Sequence, residues 1–117
     1  MPIHRGDVYW VQLNDAGSVP HPYVIVQDDV FNHSRIETVI AVALTTNLQR
    51  VSLPGNVLLE AGEADLPRQS VVEVAKVTTL RKADLGAFIG TVSVARVEQI
   101  LAGLRFVQSS YQGGEEA

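Results

Sequence analysis

Short runs of β-branched and aromatic residues, separated by polar and turn-forming clusters, fill most of this chain, and one helical stripe fills its end. Residues 7–13 (DVYWVQL) alternate between apolar and polar positions and predict a first strand. The cluster Asn14-Asp15-Ala16-Gly17-Ser18 is turn chemistry. Residues 23–27 are apolar without interruption up to Gln27, the pattern of a central strand buried on both faces. Pro20 and Pro22 bracket His21. Each proline fixes its own φ and biases the preceding residue towards extended geometry, so His21 is expected in a stiff loop at the mouth of this strand. Residues 28–36 are polar and mixed, with room for one helical turn capped by Asp28 or Asp29. Residues 38–44 (TVIAVAL) predict a third, equally central strand ending in Thr45-Thr46-Asn47.

Beyond it, residues 47–55 read as a loop or edge hairpin, 56–60 as a short strand, and 61–67 as an acidic surface loop. Residues 70–77 (SVVEVAKV) predict another strand, with Glu73 and Lys76 as polar interruptions. A turn at 82–85 precedes Gly86, and 87–92 give a last extended piece. Ser93 has the character of a helix N-cap. From Val94, apolar residues recur at Val97, Ile100, Leu101, Leu104, Val107 and Tyr111, one face of an α-helix. Gly103 weakens that helix by roughly 1 kcal/mol relative to alanine, and Gly113-Gly114 end it. The strand-to-strand links are too short for helical crossovers, so the sheet is expected to be antiparallel. The fold class is therefore mainly β with α: a small antiparallel sheet or open barrel covered by a C-terminal amphipathic helix. A single domain is expected over residues 1–112, with a flexible acidic tail at 113–117.

At 117 residues the chain is long enough for one hydrophobic core, and 46% hydrophobic with 19% charged residues is a globular composition. It has no cysteine, which removes disulfides and thiolate metal sites and fits a cytoplasmic protein. No secretory signal is visible, and the apolar runs are too short to span a bilayer. A net charge of −4 does not by itself point to nucleic acid. Part of the acidity is local, around Glu60, Glu63 and Asp65 and in the tail at Glu115 and Glu116.

Candidate chemistry gathers at strand ends. If the second and third strands are adjacent and antiparallel, His21 and Thr45-Thr46 share one edge of the sheet. An imidazole beside hydroxyl and amide donors can move a proton and hold phosphate oxygens. RNA self-cleavage needs little more, because the ribose 2′-hydroxyl is a nucleophile already in the substrate. Blander readings stand beside this one. Taken residue by residue, a lone loop histidine such as His21 is more often just solvated, Thr45-Thr46-Asn47 more often turn chemistry, Asp28-Asp29 a cap, Glu73 a surface ion pair, and Arg81-Lys82 a solvated corner, although two cations near a sheet edge can hold phosphates. The His and carboxylate spacings match no standard metal motif, and no nucleophile elbow is present.

Several segments carry a resemblance when taken together: Arg5-Gly6-Asp7-Val8-Tyr9-Trp10; His21-Pro22-Tyr23-Val24-Ile25-Val26-Gln27-Asp28-Asp29; Asn32; the strand running to Thr45-Thr46; Leu53-Pro54; Ser70-Val71-Val72; Lys82; Ile89-Gly90; and the final helix. In this order, over nearly the whole length, the chain resembles the MazF/PemK toxins of bacterial toxin–antitoxin systems. The resemblance implies a CcdB/MazF-like, SH3-like barrel fold and a homodimer. It implies a metal-independent endoribonuclease that cleaves single-stranded RNA to a 2′,3′-cyclic phosphate and a 5′-hydroxyl, without a cofactor. It also implies an antitoxin partner with a flexible acidic C-terminal tail, and a cytoplasmic protein with no membrane association. The alternatives on the same scaffold are a non-catalytic CcdB-like gyrase inhibitor and a decayed toxin that only binds its antitoxin.

Position by position, the family's hydroxyl after the third strand falls on Thr45. The residue before the second-strand proline, an arginine in the family, is His21 here. An imidazole can transfer a proton but lacks a guanidinium's permanent charge and forked donors. His21 and Thr45 are thus the expected catalytic pair, with Thr46, Asn47, Lys76, Arg81 and Lys82 as expected RNA-binding residues, Lys76 offering a replacement cation.

Overall fold

The structure is a computed structural model and describes residues 2–13 and 19–110. The turn cluster at 14–18, Tyr111 and the expected tail at 113–117 lie outside the described residues. Among the described residues, six strands form one antiparallel, unclosed sheet: β1 (Asp7–Val11), β2 (His21–Ile25), β3 (Thr38–Thr45), β4 (Val57–Leu59), β5 (Ser70–Arg81) and β6 (Leu85–Thr91), in the order β4-β5-β3-β2-β1-β6. A single turn of helix, α1 (Asp29–Asn32), follows β2, and the long helix α2 (Val94–Ser110) ends the fold.

The apolar runs sit where their pattern requires. Side chains alternate across a strand, so β3 feeds two cores. Val42 and Leu44 pack with Val24, Val72, Val74 and the α2 residues Ile100 and Leu104. Val39, Ala41 and Ala43 pack with Tyr9, Val11, Tyr23, Ile25 and Leu80 on the other face. Both faces are covered over Tyr23 to Ile25 of β2 and Ala41 to Leu44 of β3, which is why those stretches do not alternate with polar residues. Burying one such side chain contributes about 1.5–3 kcal/mol. The helical stripe packs as its period demands: Ile100 and Leu104 are buried, and Val97, Leu101 and Val107 lean on the same core. Ser93 caps α2, its Oγ accepting from the Arg96 N–H at 3.1 Å. Gly103, a weak helix former, sits where a Cβ would collide with the Gly55 carbonyl.

A short turn at Glu63–Asp65 folds back onto β6 and draws the two ends of the sheet together. Its approach leaves no room for a side chain at Gly90, where a Cβ would strike the Ala64 carbonyl. Arg96 of α2 grips the turn in a forked pair, Nε to Glu63 Oε1 at 2.9 Å and Nη2 to Oε2 at 2.8 Å. These bonds outweigh burial and hold the Glu63 carboxyl below its ordinary pKa. The result is an open barrel with α2 along one side.

Several strand ends differ from the sequence expectation by a residue or two, and three boundaries matter for the site. β2 begins at His21, which pairs with Val11, so the histidine is the first residue of the strand and not part of a loop before it. β5 runs four residues past Val77, because Thr78 to Arg81 continue the ladder with β3. Within this extension the polar residues face solvent and only Leu80 turns inward, a pattern that hides a strand. β6 starts at Leu85, where Val11 pairs with it. No described helix is long and apolar enough to cross a membrane.

Candidate active site

β2 has polar residues at both ends, and the two ends do different things. After its C-terminal end lies the Gln27-Asp28-Asp29 corner. Asp28 caps α1 by accepting from the Val30 N–H at 2.8 Å. Asp29 Oδ1 accepts from the Arg5 N–H at 2.7 Å and from Asn32 Nδ2 at 3.0 Å. Asn32, buried, also donates to the Gln27 carbonyl and accepts from Gln27 Nε2. Burial would raise the Asp29 pKa, but the bonds from Arg5 and Asn32, with the nearby His33 and His4 rings, bring it below its ordinary value. This corner locks the first residues of the chain to β2 and α1. Asp7 does the same for the start of β1, accepting from the His4 N–H at 2.9 Å and the Thr91 hydroxyl at 2.8 Å.

The N-terminal end of β2 opens into a cleft of about 360 Å³. One wall is Trp10 with the Pro20-His21-Pro22 stiffener; the second is Thr45 and Thr46 at the end of β3; the third is the segment Leu66-Pro67-Arg68 with Ser70. Antiparallel pairing builds the first two walls. Tyr23 pairs with Ala43 and Ile25 with Ala41, and the same register carried two residues further sets His21 across from Thr45. The pairing of Thr45 with Val71 then delivers the start of β5 as the third wall. His21 is exposed, and its ring has no hydrogen-bond partner among the described residues. Thr45 Oγ1 accepts from the Asn47 N–H at 3.2 Å, which leaves its own proton free for a ligand. Asn47 spends its side-chain carbonyl as the cap of the short turn Leu48–Ser52, accepting from the Gln49 N–H at 3.2 Å.

The sequence-predicted residues therefore divide. His21, Thr45 and Thr46 share the cleft. Lys76 does not line it and lies 3.5 Å from Glu73 Oε2, with Arg50 on the other carboxylate oxygen at 3.9 Å. Glu73 is a buried carboxylate between two cations and not the surface pair its position in an alternating strand suggested. Arg81 pairs with Thr38 at the far end of β3 from Thr45, seven residue steps or roughly 24 Å along the strand. There Arg81 forms a forked pair with Asp84 at 3.0 Å. Lys82 donates to the Asn32 carbonyl at 2.9 Å and the Ser34 carbonyl at 3.3 Å, so it belongs to the locked corner.

Sequence reasoning missed Trp10, Arg68 and Ser70. The single tryptophan stands at the one exposed position of β1, a signal visible in the alternation of DVYWV. Arg68 and Ser70 reach the cleft only through β3–β5 pairing, a non-local event. A larger open groove of about 620 Å³ runs between β4 and α2, but its arginine, Arg96, is already held by Glu63. Among the described residues no group of three His, Asp or Glu side chains could hold a metal ion.

Comparison with known proteins bears on the chain as a whole. The family described as PemK-like, MazF-like toxin of type II toxin–antitoxin systems matches residues 4–107. The chain is 40% identical over 111 residues to "Endoribonuclease MazF6" of Mycobacterium tuberculosis, covering 92% of this chain and 97% of that protein. It is 31% identical over 90 residues to "Endoribonuclease EndoA" of Bacillus subtilis, covering 73% and 76%. Among solved structures, an endoribonuclease in complex with its cognate antitoxin from a mycobacterial species superposes with a TM-score of 0.77 at 29% identity, covering 92% of this chain and 95% of that one. A fold with the expected strands, a match that includes both ends of β2, and relatives aligned over nearly their full length agree: the chain belongs to the PemK-like, MazF-like toxin family of type II toxin–antitoxin systems.

Proposed function

We propose that this protein is an endoribonuclease toxin that cleaves single-stranded RNA at the cleft between His21 and Thr45. The observation that carries the reading is the convergence of an imidazole and a free hydroxyl proton at the ends of two adjacent core strands. His21 takes the proton of the ribose 2′-hydroxyl, O2′ bonds to phosphorus, and the P–O5′ bond breaks. The products are a 2′,3′-cyclic phosphate and a 5′-hydroxyl, the leaving oxygen taking its proton from water. The Thr45 hydroxyl donates to a phosphate oxygen as charge builds there. Trp10, half-exposed on the cleft wall, offers a face on which an unpaired base can stack. The chemistry uses a nucleophile that RNA supplies and routes no step through a metal. Of the acidic segment, Glu63 is bound to Arg96, Glu60 accepts from Gln69 at 2.7 Å and lines the other groove, and Asp65 is not among the residues that line the cleft.

The protein acts as a cytoplasmic homodimer held inactive by an antitoxin with a flexible acidic tail. The family, and a structural neighbour described with its cognate antitoxin, support that partner. The gyrase-inhibitor alternative is not favoured, because the aligned relatives carry endoribonuclease names. Incubating the purified, antitoxin-free protein with a fluorogenic single-stranded RNA library in EDTA tests the reading. Cleavage in wild type and its loss in His21→Ala are expected; intact RNA with folded wild type overturns it.

A further inference from the structure

We infer that Arg68 is the cation that holds the scissile phosphate in the His21–Thr45 cleft, a role that rests on the proposed RNA cleavage. A neutral imidazole that takes a proton cannot also neutralise a phosphate, so the cleft needs a second, permanently charged group. The chain has nine lysines and arginines, and six are already engaged. Arg5 binds the Val26 carbonyl and Asp28; Arg50 and Lys76 flank Glu73; Arg81 is forked onto Asp84; Lys82 donates to two carbonyls; Arg96 is forked onto Glu63. Among the described residues, Arg35, Arg68 and Arg105 have no side-chain partner, and of these only Arg68 lines the cleft.

Its backbone is held in place for the task. Leu66 is buried, and its carbonyl accepts from the Gly62 N–H at 2.8 Å. The Arg68 carbonyl accepts from the Ser70 hydroxyl at 3.2 Å, and the next side chain, Gln69, is tied to Glu60. A fixed backbone with an unspent guanidinium suits a planar fork for phosphate oxygens. His21 then moves the proton, Thr45 donates one hydrogen bond, and Arg68 neutralises the phosphate from the opposite wall.

Two readouts test this. The first is binding of a single-stranded oligonucleotide that cannot be cleaved, 2′-deoxy throughout, as a function of salt. A protein that neutralises one phosphate fewer has a slope of log K against log salt shallower by about 0.7. Arg68→Ala should become shallower by about that amount, and Arg105→Ala, on the solvent face of α2, should not. The second is single-turnover cleavage of the matching RNA, in which Arg68→Ala should fall about 100-fold while Arg68→Lys keeps part of the rate. An unchanged slope and cleavage within threefold of wild type would overturn the role of Arg68 while leaving RNA cleavage standing. A shallower slope in a protein that cleaves no RNA would keep the phosphate-holding role and overturn the proposed activity instead. Because Arg68 is exposed, its substitution should leave the thermal midpoint unchanged, which separates both readouts from misfolding.

Discussion

The two ends of β2 are one short strand apart and are built on opposite principles. At the Gln27-Asp28-Asp29 corner, Arg5, Gln27, Asp29, Asn32 and Lys82 spend their donors and acceptors on one another or on nearby backbone. At the His21 end, the ring, the Thr45 proton and the Arg68 guanidinium have no protein partner among the described residues. A polar group already satisfied by the fold contributes stability; one held in place but left unspent is available to a ligand. Both ends belong to the same sequence motif, so the motif alone does not say which half does the chemistry.

Substitutions can break this contrast. The largest effect is expected from His21→Ala, which should slow cleavage of single-stranded RNA at least about 100-fold and leave the melting curve within about 0.5 kcal/mol of wild type, as befits an exposed side chain. Thr45→Val removes a single donor and should slow single-turnover cleavage by about 10–100-fold. Asn32→Ala should do the reverse, costing about 1–3 kcal/mol in denaturant unfolding because Gln27 and Asp29 lose a buried partner, with cleavage per folded molecule unchanged. The acid limb of stability sharpens the same point. Asp29 has a folded pKa below its ordinary 3.8, so its contribution is present above that pH and is lost as pH falls through the folded value. Glu63, below its ordinary 4.5, behaves alike. Unfolding free energy should be steady from neutrality to about pH 5 and decline below about pH 4, and Asp29→Asn should flatten that decline. The smallest effect is expected from Lys82→Ala: about 1 kcal/mol of stability from its bonds to Asn32 and Ser34, and no change in cleavage rate.

Much of the fold is legible in the sequence because its signals are local. Uninterrupted apolar runs identify β2 and β3 as central, Ser93 marks the helix start, and the Val97-to-Val107 stripe names the face that packs. The meeting of His21 and Thr45 in one cleft is legible too, since adjacent antiparallel strands follow from a short connection. Arg68 is not legible, because it reaches the cleft that Thr45 lines through a pairing of β3 with β5 that no local pattern announces. The cations at 81 and 82 are drawn towards the site for the same reason. A strand expected to end at Val77 leaves its far end unplaced, whereas the observed twelve-residue β5 carries Arg81 to the opposite end of β3. Glu73 reads as surface in an alternating strand, yet the pairing shifts between Val77 and Val72 opposite β3, and the irregularity buries it.

At the His21 end of β2, the proposed chemistry is attack by an RNA 2′-hydroxyl on its own phosphate. Mapping the chemical ends of RNA cut by the wild-type protein reads that step from its products. Ends carrying a 2′,3′-cyclic phosphate and a 5′-hydroxyl are expected, with no cleavage when the nucleotide at the cut site is 2′-deoxy. Products with 5′-phosphate ends, or cleavage undiminished by the 2′-deoxy substitution, would contradict it.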